Sequence, residues 1–411
     1  MQNIDVAIIG GGAAGLSAAI EAKKTGAENV LVLERGEELG GILQQCIHTG
    51  FGLHYFKENL NGPEYISRFI KTVHELGIDY KLNTMVLQIS PNKKLLAMNS
   101  VDGPLRLQAK AIVLAMGCRE KPRGALAIPG TRPAGIFTAG TAQRLMDVEG
   151  YLVGKKIVIL GSGDIGLIMA RRFVMEGAKV EAVVELMPYP GGLHRNVVQC
   201  LEDFQIPLLL QHTITNIQGR DRLKRVTTAK VDKRFTPIPG TEKNIECDTL
   251  ILSVGLIPEN ELSRGLGILI DTKTGGPFVD EHMETSERGL FACGNVVHVH
   301  DLVDHVTWSG EVAGKNAARV VLDTFPRYKE RISLSAGRNV QYVVPQFISG
   351  KKPVNLSIRV KRPARRVEIN IGNELAFHKP VVRPSEMVVL TLRENQIMEK
   401  TKLTVIVRKR R

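Results

Sequence analysis

Two glycine-rich turns carry the residues with the clearest chemical meaning in this sequence. They read GGGAAG at residues 10–15 and GSGDIG at residues 161–166, and 19 residues after the last glycine of each comes a glutamate, Glu34 or Glu185. Glycines at these offsets let a diphosphate approach the backbone N–H groups at the start of a helix, and the acid accepts hydrogen bonds from a ribose. The two turns therefore predict two dinucleotide sites.

The elements that must position these turns follow from the hydrophobic pattern around them. An apolar, β-branched run precedes each turn, a helical stretch follows it, and a second apolar run ends at the glutamate. The predicted strands span 5–9, 30–33, 156–160 and 180–184, and the predicted helices span 16–25 and the stretch from the second turn to about 176. Each copy is thus a strand–turn–helix–strand unit. Two copies with one spacing indicate a repeat of the Rossmann type, not two chance glycine clusters.

The rest of the chain predicts further strands and helices and then a change of character. A helix is expected at 62–76, strands at 85–89 and 95–98, short buried strands ending in glycine at 111–117 and 249–255, and a helical stretch ending near 322. Beyond Pro326, prolines interrupt runs rich in Val, Ile and Leu. This pattern predicts a small antiparallel β module with strands at 356–360, 367–371, 388–392 and 403–407.

Composition sets limits on the class of protein. Apolar residues make up 43% and charged residues 24% of the 411 residues, which excludes a wholly disordered, collagenous or coiled-coil chain. We expect no transmembrane segment, because no apolar run approaches the ~20 residues that span a bilayer. The five cysteines, at positions 46, 118, 200, 247 and 293, form no CxxC pair, which argues against a disulfide scaffold or a metal cluster. A cytoplasmic location is expected.

The charge is concentrated at one end of the chain. Residues 330–411 hold 18 Lys and Arg against 6 Asp and Glu, so they carry +12 of the net charge of +13. Such asymmetry predicts a partner for the tail. Because the tail interleaves few aromatics with its basic residues, we expect a protein partner subunit, not nucleic acid. We also expect the tail to be dispensable for cofactor binding.

The arrangement resembles the FAD-dependent pyridine nucleotide–disulfide oxidoreductase superfamily. The resemblance covers residues 1 to about 325 and rests on both turns with their glutamates, the strand ends LAMG at 114–117 and SVG at 253–255, and FACGN at 291–295. The loops LGGIL at 39–43 and CIHTGFG at 46–52 are most similar to flavoprotein subunits of multi-subunit dehydrogenases and oxidases that act on glycerol 3-phosphate, sarcosine or proline.

The resemblance implies an α/β fold with two Rossmann-like domains, the second inserted into the first, and the pattern beyond Pro326 adds a small C-terminal β-rich domain. The expected boundaries are 1–120 and 259–328 for the FAD-binding domain, 121–258 for the NAD-binding domain with linkers and 329–411 for the basic C-terminal domain. The implied FAD-binding residues are Gly10, Gly12, Ala13, Ala14, Gly15, Glu34, Arg35, Gly41, Ile42, Val86, Ala115, Gly117, Gly294, Asn295, His305 and Val306. The implied NAD-binding residues are Gly161, Gly163, Asp164, Ile165, Gly166, Glu185, Val254 and Gly255.

Two positions depart from the superfamily pattern. The last motif of the superfamily usually ends in an Asp that binds the ribityl chain of FAD, and this chain has Asn295 there. An amide can still make that hydrogen bond. The loop after Glu34 lacks the CxxxxC pair and has Cys46 alone, so an internal dithiol relay is not expected. The weak catalytic candidates are Cys46, His48 and His305. His298 and His300, with Asp301 and Asp304, suggest a flavin-edge or partner contact more than a metal site, and no metal is expected.

The expected activity is hydride transfer between NADH and FAD, with electrons exchanged with a partner subunit or a diffusible acceptor. The carboxylate of Glu185 favours NAD(H) over NADP(H), because it would repel a 2′-phosphate. The expected context is a subunit of a glycerol-3-phosphate or amino-acid dehydrogenase or oxidase complex. One alternative is a stand-alone NADH oxidase or a single-cysteine thiol or peroxide reductase that uses Cys46. Another is an accessory subunit whose nucleotides are structural.

Overall fold

The computed structural model of the chain describes residues 2–328, 331–372, 375–394, 396 and 401–410. These residues form two compact units. The first combines the chain up to Cys118 with the chain from Pro258 onward, and the second is the intervening segment Arg119–Ile257. In the described part of the chain, no helix is both long enough and apolar enough to cross a membrane.

The first unit is built on a mixed sheet that begins with the first glycine turn. Its elements up to Leu114 are β1 (Gln2–Ile9), α1 (Ala13–Thr25), β2 (Val30–Leu33), β3 (Thr49–Phe51), β4 (Leu60–Asn61), α2 (Gly62–Glu75), β5 (Asp79–Lys81), β6 (Met85–Ile89), β7 (Lys94–Asn99) and β8 (Gly103–Leu114). The strand order is β5-β2-β1-β8-β7-β6. Strands β1, β2 and β5 and the end of β8 run parallel, while β6, β7 and β8 form an antiparallel meander.

Helix α2 shows why local sequence fixes an element. Asn61 is its N-cap, and the Asn61 side chain accepts a hydrogen bond from the Glu64 amide while the Glu64 carboxylate accepts one from the Asn61 amide, both at 2.9 Å. Pro63 stands in the first turn, where its missing N–H costs nothing. This capping box begins the helix at Gly62, as the sequence predicts.

The second unit repeats the first plan around the second glycine turn. Its elements, with the strands at its borders, are β9 (Cys118–Glu120), β10 (Ile136–Thr138), α3 (Ala139–Asp147), β11 (Lys156–Leu160), α4 (Asp164–Met175), β12 (Lys179–Glu185), α5 (His194–Val197), β13 (Leu208–Leu210), β14 (His212–Gly219), β15 (Leu223–Lys230), β16 (Lys243–Glu246), β17 (Thr249–Leu252) and β18 (Leu256–Pro258). A parallel sheet has the order β10-β17-β11-β12-β13. Strands β14, β15 and β16 form an antiparallel sheet.

In each unit, a backbone hydrogen bond joins the two segments that connect it to the other unit. In the first unit the Glu259 amide donates to the Gly117 carbonyl at 3.0 Å. In the second unit the Lys121 amide donates to the Gly255 carbonyl at 3.1 Å. The two points at which the chain passes between the units, here called the chain crossings, are therefore adjacent within each unit.

When the chain re-enters the first unit it completes the first sheet and adds a long helix. The elements are α6 (Glu261–Gly265), β19 (Leu290–Ala292), which pairs in parallel with β8, and α7 (Val303–Val321). Helix α7 packs closely on α1. A Cβ atom at Gly310 would lie 2.3 Å from the Ala14 carbonyl oxygen, and one at Gly314 would lie 2.0 Å from that of Ala18. Only glycine permits this approach.

The last part of the chain forms two sheets over a core of its own. The strands are β20 (Ile332–Ala336), β21 (Val340–Val344), β22 (Phe347–Ile348), β23 (Val354–Val360), β24 (Ala364–Ile371), β25 (Leu375–Val382), β26 (Val388–Leu392) and β27 (Lys402–Lys409). Their orders are β22-β20-β27-β24-β25 and β21-β23-β26. The expected β-rich character is present, but the expectation of a purely antiparallel module is wrong, because β20 and β27 pair in parallel.

The C-terminal region, expected as a domain over 329–411, also contacts the first Rossmann-like fold. It belongs to the same compact unit as the first Rossmann-like fold. Tyr342 and Val344 are buried in one cluster with Val296 and Val297, which follow the return motif. Tyr342 and Val344 thus join the core of the first nucleotide fold, while most of the region packs on a core of its own, and the expectation that it is dispensable for cofactor binding stays a prediction.

Candidate functional site

The first glycine turn has the shape that a dinucleotide needs. Gly10 has φ +106°, and a Cβ atom there would lie 2.4 Å from the Ala115 carbonyl oxygen. A Cβ atom at Gly15 would lie 1.8 Å from the Gly10 carbonyl oxygen. At Gly12, in contrast, the Cβ position has no described atom within 4 Å. Gly10 and Gly15 are therefore fixed by packing, whereas Gly12 leaves room in front of the helix.

The helix behind this turn offers amide donors to an anion. Gly12 is the N-cap of α1 and has no side chain with which to cap the first turn, and Ala13, Ala14 and Gly15 bring no acid there. The first amides of a helix have no partner within the helix and carry partial positive charge. This cradle fits the diphosphate of FAD, and FAD, when bound, supplies the redox chemistry.

Glu34 lies beside the cradle and is held by two backbone amides. Its Oε2 accepts from the Gly11 amide and its Oε1 from the Gly36 amide, both at 2.6 Å. The residue is only 9% exposed. A carboxylate oxygen has about two acceptor positions, so each oxygen retains one for a ribose hydroxyl. Gly11 and Gly36 were not predicted as site residues, although their backbone groups orient the acid.

The remaining residues predicted around the first nucleotide lie in different settings. Gly41 lies against the turn, since its Cβ position is 3.3 Å from Gly12 Cα, and Ile42 beside it is 58% exposed. The Arg35 guanidinium lies 3.8 Å from the Glu259 carboxylate. The Val86 side chain is buried in the core, so only its backbone could contact a nucleotide. Gly117 has φ +70° just beyond β8.

The return motif brings α1 and α7 together at the same site. A Cβ atom at Gly294 would lie 2.8 Å from Ala14 Cβ and 3.3 Å from Val306 Cγ1. The Asn295 side-chain oxygen accepts from the His300 amide at 3.0 Å and lies 3.2 Å from His300 Nδ1. The asparagine that replaces the expected aspartate is therefore engaged in ordering the segment that leads into α7.

The first turn of α7 carries a histidine that is neutral near pH 7. Burial, helped by the nearby His54, lowers the pKa of His305, whose ring stacks on Trp308 with centroids 5.4 Å apart. Asp304, 1% exposed, accepts from the amides of His54 at 3.4 Å and Tyr55 at 3.3 Å. Asp304 thus fixes the loop after β3 against the helix start, and Trp308 was not predicted from the sequence.

The other two histidines before α7 form a close pair, in which His298 is buried and His300 is half-buried. The ring centroids of His298 and His300 are 4.0 Å apart. Burial lowers the pKa of His298 well below its usual range and that of His300 to about 3, so both rings are neutral at pH 7. Asp301 is instead bound to Arg359. Across the described residues, no cluster of three or more His, Cys, Asp or Glu is arranged to hold a metal ion.

Cys46 and His48 lie in the loop that follows Gly41. Cys46 is 6% exposed, and its Sγ donates to the Ile42 carbonyl at 3.2 Å. A Cβ atom at Gly62 would lie 2.8 Å from Cys46 Cβ, so the Cys46 side chain packs against the start of α2. His48 is half-buried, with its ring centroid 5.0 Å from that of Phe51. The cysteine is thus close in the chain to the first site but is buried.

The second turn repeats the geometry of the first. A Cβ atom at Gly161 would lie 2.1 Å from the Ser253 carbonyl oxygen, and one at Gly166 would lie 2.9 Å from the Gly161 carbonyl oxygen. Gly163 is the N-cap of α4. Val254 and Gly255 follow β17, with φ +100° at Gly255, and Asp164 and Ile165 open α4. The arrangement forms a second cradle in front of a helix.

Glu185 takes the place in the second unit that Glu34 has in the first. It is 7% exposed. Its Oε1 accepts from the Met187 amide at 2.8 Å, and its Oε2 accepts from the Ser162 amide at 2.9 Å and from the Ser162 hydroxyl at 2.5 Å. Ser162 was not predicted as a site residue, although it occupies the position of Gly11 in the repeat.

Comparison with known proteins identifies the family of the chain. The family described as pyridine nucleotide-disulphide oxidoreductase matches residues 4–312. The NAD(P)H sulfur oxidoreductase (CoA-dependent) of Pyrococcus abyssi is 29% identical over 76% of this chain and 69% of its own. An opine oxidase subunit from Agrobacterium tumefaciens is 22% identical over 84% and 71%. The structure of T. acidophilum thioredoxin reductase is similar with a TM-score of 0.65 and 23% identity, over 79% of this chain and 100% of that one.

The family match begins before the first glycine turn and ends inside α7, so it includes both cradles and both glutamates. Members of this family bind FAD and use NAD(P)H, and the amide-lined cradle of the first unit fits the diphosphate of that cofactor. The chain is therefore an oxidoreductase that belongs to the pyridine nucleotide-disulphide oxidoreductase family.

Proposed function

We propose that this chain oxidises NADH, with FAD as its resident redox group, and delivers the electrons to an acceptor outside the chain. The use of NADH, the first half of the proposal, is supported by the position of Glu185. Its carboxylate is nearly buried at the end of β12, beside the cradle of the second unit. A 2′-phosphate placed there would set two negative charges together in a partly desolvated site.

A kinetic comparison tests the cofactor preference. We expect kcat/KM with an artificial dye acceptor to be at least ~10-fold higher for NADH than for NADPH, which corresponds to about 1.4 kcal/mol. Glu185→Ala should erode the preference. The control is Glu181→Ala on the same strand, because Glu181 pairs with Lys179 at 2.8 Å and not with the cradle. Equal use of both nucleotides by the unmodified protein would overturn this half of the proposal.

The second half concerns where the electrons leave. The sequence has no CxxxxC or CxxC pair that could form an internal dithiol relay. The opine oxidase relative, by its name, is one component of a larger enzyme. We therefore favour an acceptor on a partner subunit, in a complex of the type that oxidises glycerol 3-phosphate or an amino acid.

The surface that we propose for partner docking is a basic patch of the C-terminal region. Lys361, Arg362, Arg365 and Arg366 are exposed around the turn from β23 to β24, and the Arg410 amide donates to the Arg366 carbonyl at 2.7 Å. Exposed charges attract an acidic partner over ~10 Å at 0.1 M ionic strength and are screened by added salt.

Co-purification tests this docking. We expect the chain to bring down a partner from native extract at low salt and to lose it as salt rises. Replacing Lys361, Arg362, Arg365 and Arg366 by Gln should weaken the association but leave dye-linked NADH oxidation unchanged. A protein that is always isolated alone and turns over rapidly with oxygen would instead support the stand-alone oxidase.

A second candidate function is reduction of a sulfur substrate through Cys46. It is favoured by the name of the Pyrococcus abyssi relative, an NAD(P)H sulfur oxidoreductase. The burial of Cys46, at 6% exposure, stands against it, because a thiol that attacks a substrate must be reached by it. Loss of NADH oxidation with a polysulfide or disulfide acceptor in Cys46→Ser, with dye reduction intact, would establish this alternative.

A further inference from the structure

The internal repeat continues past the two glutamates. Six and seven residues after Glu34 come Gly40 and Gly41, and six and seven residues after Glu185 come Gly191 and Gly192. An aliphatic residue follows each pair, Ile42 in one copy and Leu193 in the other. Each unit therefore has an equivalent loop that runs from its acid to a glycine pair.

The two loops are attached to their glycine turns by different atoms. In the first unit the Gly40 amide donates to the backbone carbonyl of Gly11 at 2.8 Å. In the second unit the equivalent amide, that of Gly191, donates to the side-chain hydroxyl of Ser162 at 2.8 Å. The Ser162 hydroxyl in turn donates to Glu185 Oε2 at 2.5 Å. One buried hydroxyl thus joins the loop, the turn and the acid.

Counting acceptor positions shows what this hydroxyl does to the acid. Each oxygen of Glu34 accepts one backbone amide, which leaves one position on each. Glu185 Oε2 receives two donors, both from Ser162, and Oε1 receives the Met187 amide. The carboxylate of Glu185 is therefore held by three donors, with its remaining acceptor position on Oε1.

The same loop is also fixed at its far end, independently of Ser162. Asp164 Oδ1 accepts from the Leu193 amide at 2.8 Å and from Asn196 Nδ2 at 2.6 Å. A Cβ atom at Gly191 would lie 3.6 Å from the Gly163 nitrogen, so the loop passes close to the N-terminus of α4. The loop and the acid consequently face the same cradle.

We propose that Ser162 is a positioning residue that holds Glu185 in the orientation in which it binds the 2′-hydroxyl of NAD(H) and rejects a 2′-phosphate. This inference rests on the proposed preference for NADH. Without the hydroxyl, Glu185 loses one of its three donors and the Gly191 amide loses its acceptor. The carboxylate can then turn away from the ribose, which weakens NAD(H) binding and admits NADP(H).

Direct binding to the FAD-loaded protein tests the role of Ser162. By isothermal titration calorimetry we expect Ser162→Ala to raise the Kd for NAD⁺ by at least ~10-fold, the scale of one hydrogen bond to a charged group, and to leave the Kd for NADP⁺ unchanged or lower it. In the dye-linked assay the KM for NADH should rise while kcat stays within about twofold, because the altered contact is to the ribose and not to the reacting ring.

Two further variants separate positioning from general structure. Ser162→Thr keeps the hydroxyl and should restore the wild-type Kd for NAD⁺, whereas Ser162→Gly, which copies the residue of the first unit, should behave like Ser162→Ala. The control is Asn196→Ala, which loosens the far end of the loop but leaves Ser162 and Glu185 bonded, so the ratio of the two Kd values should not change.

Three outcomes would overturn the inference. They are unchanged Kd values in both Ser162→Ala and Ser162→Gly, the same defect in Ser162→Thr as in Ser162→Ala, and a fall in kcat with no change in Kd. A wild-type protein that does not discriminate between NADH and NADPH would refute the proposed cofactor preference instead. The role of Ser162 would then be decided by the Kd for NAD⁺ alone.

Discussion

Arg359 of β23 and Asp301, two residues before α7, form a bidentate ion pair inside the first unit. The two contacts are Nη2 to Oδ1 at 2.5 Å and Nη1 to Oδ2 at 3.1 Å, and the side chains are 10% and 14% exposed. Arg359 also donates to the carbonyls of Val299 and Pro384. Asp301 adjoins His300, whose amide donates to the Asn295 side chain. The C-terminal region is therefore linked to the return motif through Asp301 and His300.

Arg359→Met should reduce the amount of FAD that the purified protein retains and lower its unfolding temperature. Loss of the arginine leaves the Asp301 carboxylate buried without its counter-charge, and breaking such a pair costs about 3–5 kcal/mol. The 450 nm absorbance per mole of protein and a thermal melt measure the two effects. The control is Arg408→Met, since Arg408 pairs with Glu368 on the surface at 55% exposure and should change stability by about 0–1 kcal/mol. Equal effects of the two substitutions would contradict this account.

Deletion of the chain from residue 332 onward should prevent isolation of a folded, FAD-loaded protein. The deletion exposes Val296 and Val297, which are packed against Tyr342 and Val344, and also removes Arg359 from Asp301. Gel filtration and the flavin absorbance of the product provide the measurement. A truncated protein that is monodisperse and yellow would show that the C-terminal region is only a docking module.

Gly314→Ala should destabilise the first unit through the contact between α1 and α7. The added Cβ would lie 2.0 Å from the Ala18 carbonyl oxygen, so the helices must move apart. Overpacking of this kind costs typically ~1–3 kcal/mol, and it would also shift the first turn of α1 away from the nucleotide. Denaturant unfolding with and without added FAD measures both effects. Gly265→Ala is the control, because no described atom lies within 4 Å of the new methyl group.

His282 should make the first unit less stable in acid. Burial, together with the charge of Lys352, lowers the pKa of His282 from 6.5 to about 3, and Lys352 Nζ donates to Nδ1 at 2.9 Å. The unfolded chain binds a proton below pH 6.5 and the folded chain does not, so this contribution to stability is full above pH 6.5 and falls as the pH drops towards 3. At pH 5 the loss is on the order of 2 kcal/mol.

The measurement is the free energy of unfolding at pH 7 and pH 5 for the wild type and for His282→Gln. Burial raises the pKa of the neighbouring Asp280 to about 6, which stabilises the fold on acidification and acts in the opposite sense. The difference between the two proteins, not the wild-type change alone, therefore reports on His282. His194→Gln, at an exposed position, should show the wild-type pH dependence. The same dependence in His282→Gln would contradict the expected role.

Local sequence patterns accounted for the elements that hold the two cradles. The glycine offsets, the buried strands before them and the glutamates at the ends of β2 and β12 depend on contacts within one βαβ unit, and these are visible in the sequence. The same holds for α2, whose start is set by Asn61 and Glu64. Of the four strands predicted in the tail, 388–392 was found with the same ends, and the other three have at least one end shifted by one to three residues, because strand ends depend on their neighbours.

The contacts that the sequence did not reveal join residues far apart in the chain. Arg359 was counted as one of many charges in a basic tail, yet it is buried against Asp301, 58 positions earlier. The parallel pairing of β20 with β27 likewise depends on how the whole region folds. Ser162 could have been noticed, since it replaces a glycine of the first copy, but only the structure shows its hydroxyl bonded to Glu185.

The hydrogen bonds at the two chain crossings place the ends of the second unit next to each other. Gly117 and Glu259 are already joined by a hydrogen bond across the insertion, and so are Lys121 and Gly255 on its other side. A short turn could therefore bridge the first unit in place of residues 119–257, and those residues have adjacent ends of their own. In engineering terms, we expect that residues 119–257 could be exchanged for another module without cutting a strand of the sheet that begins with β1.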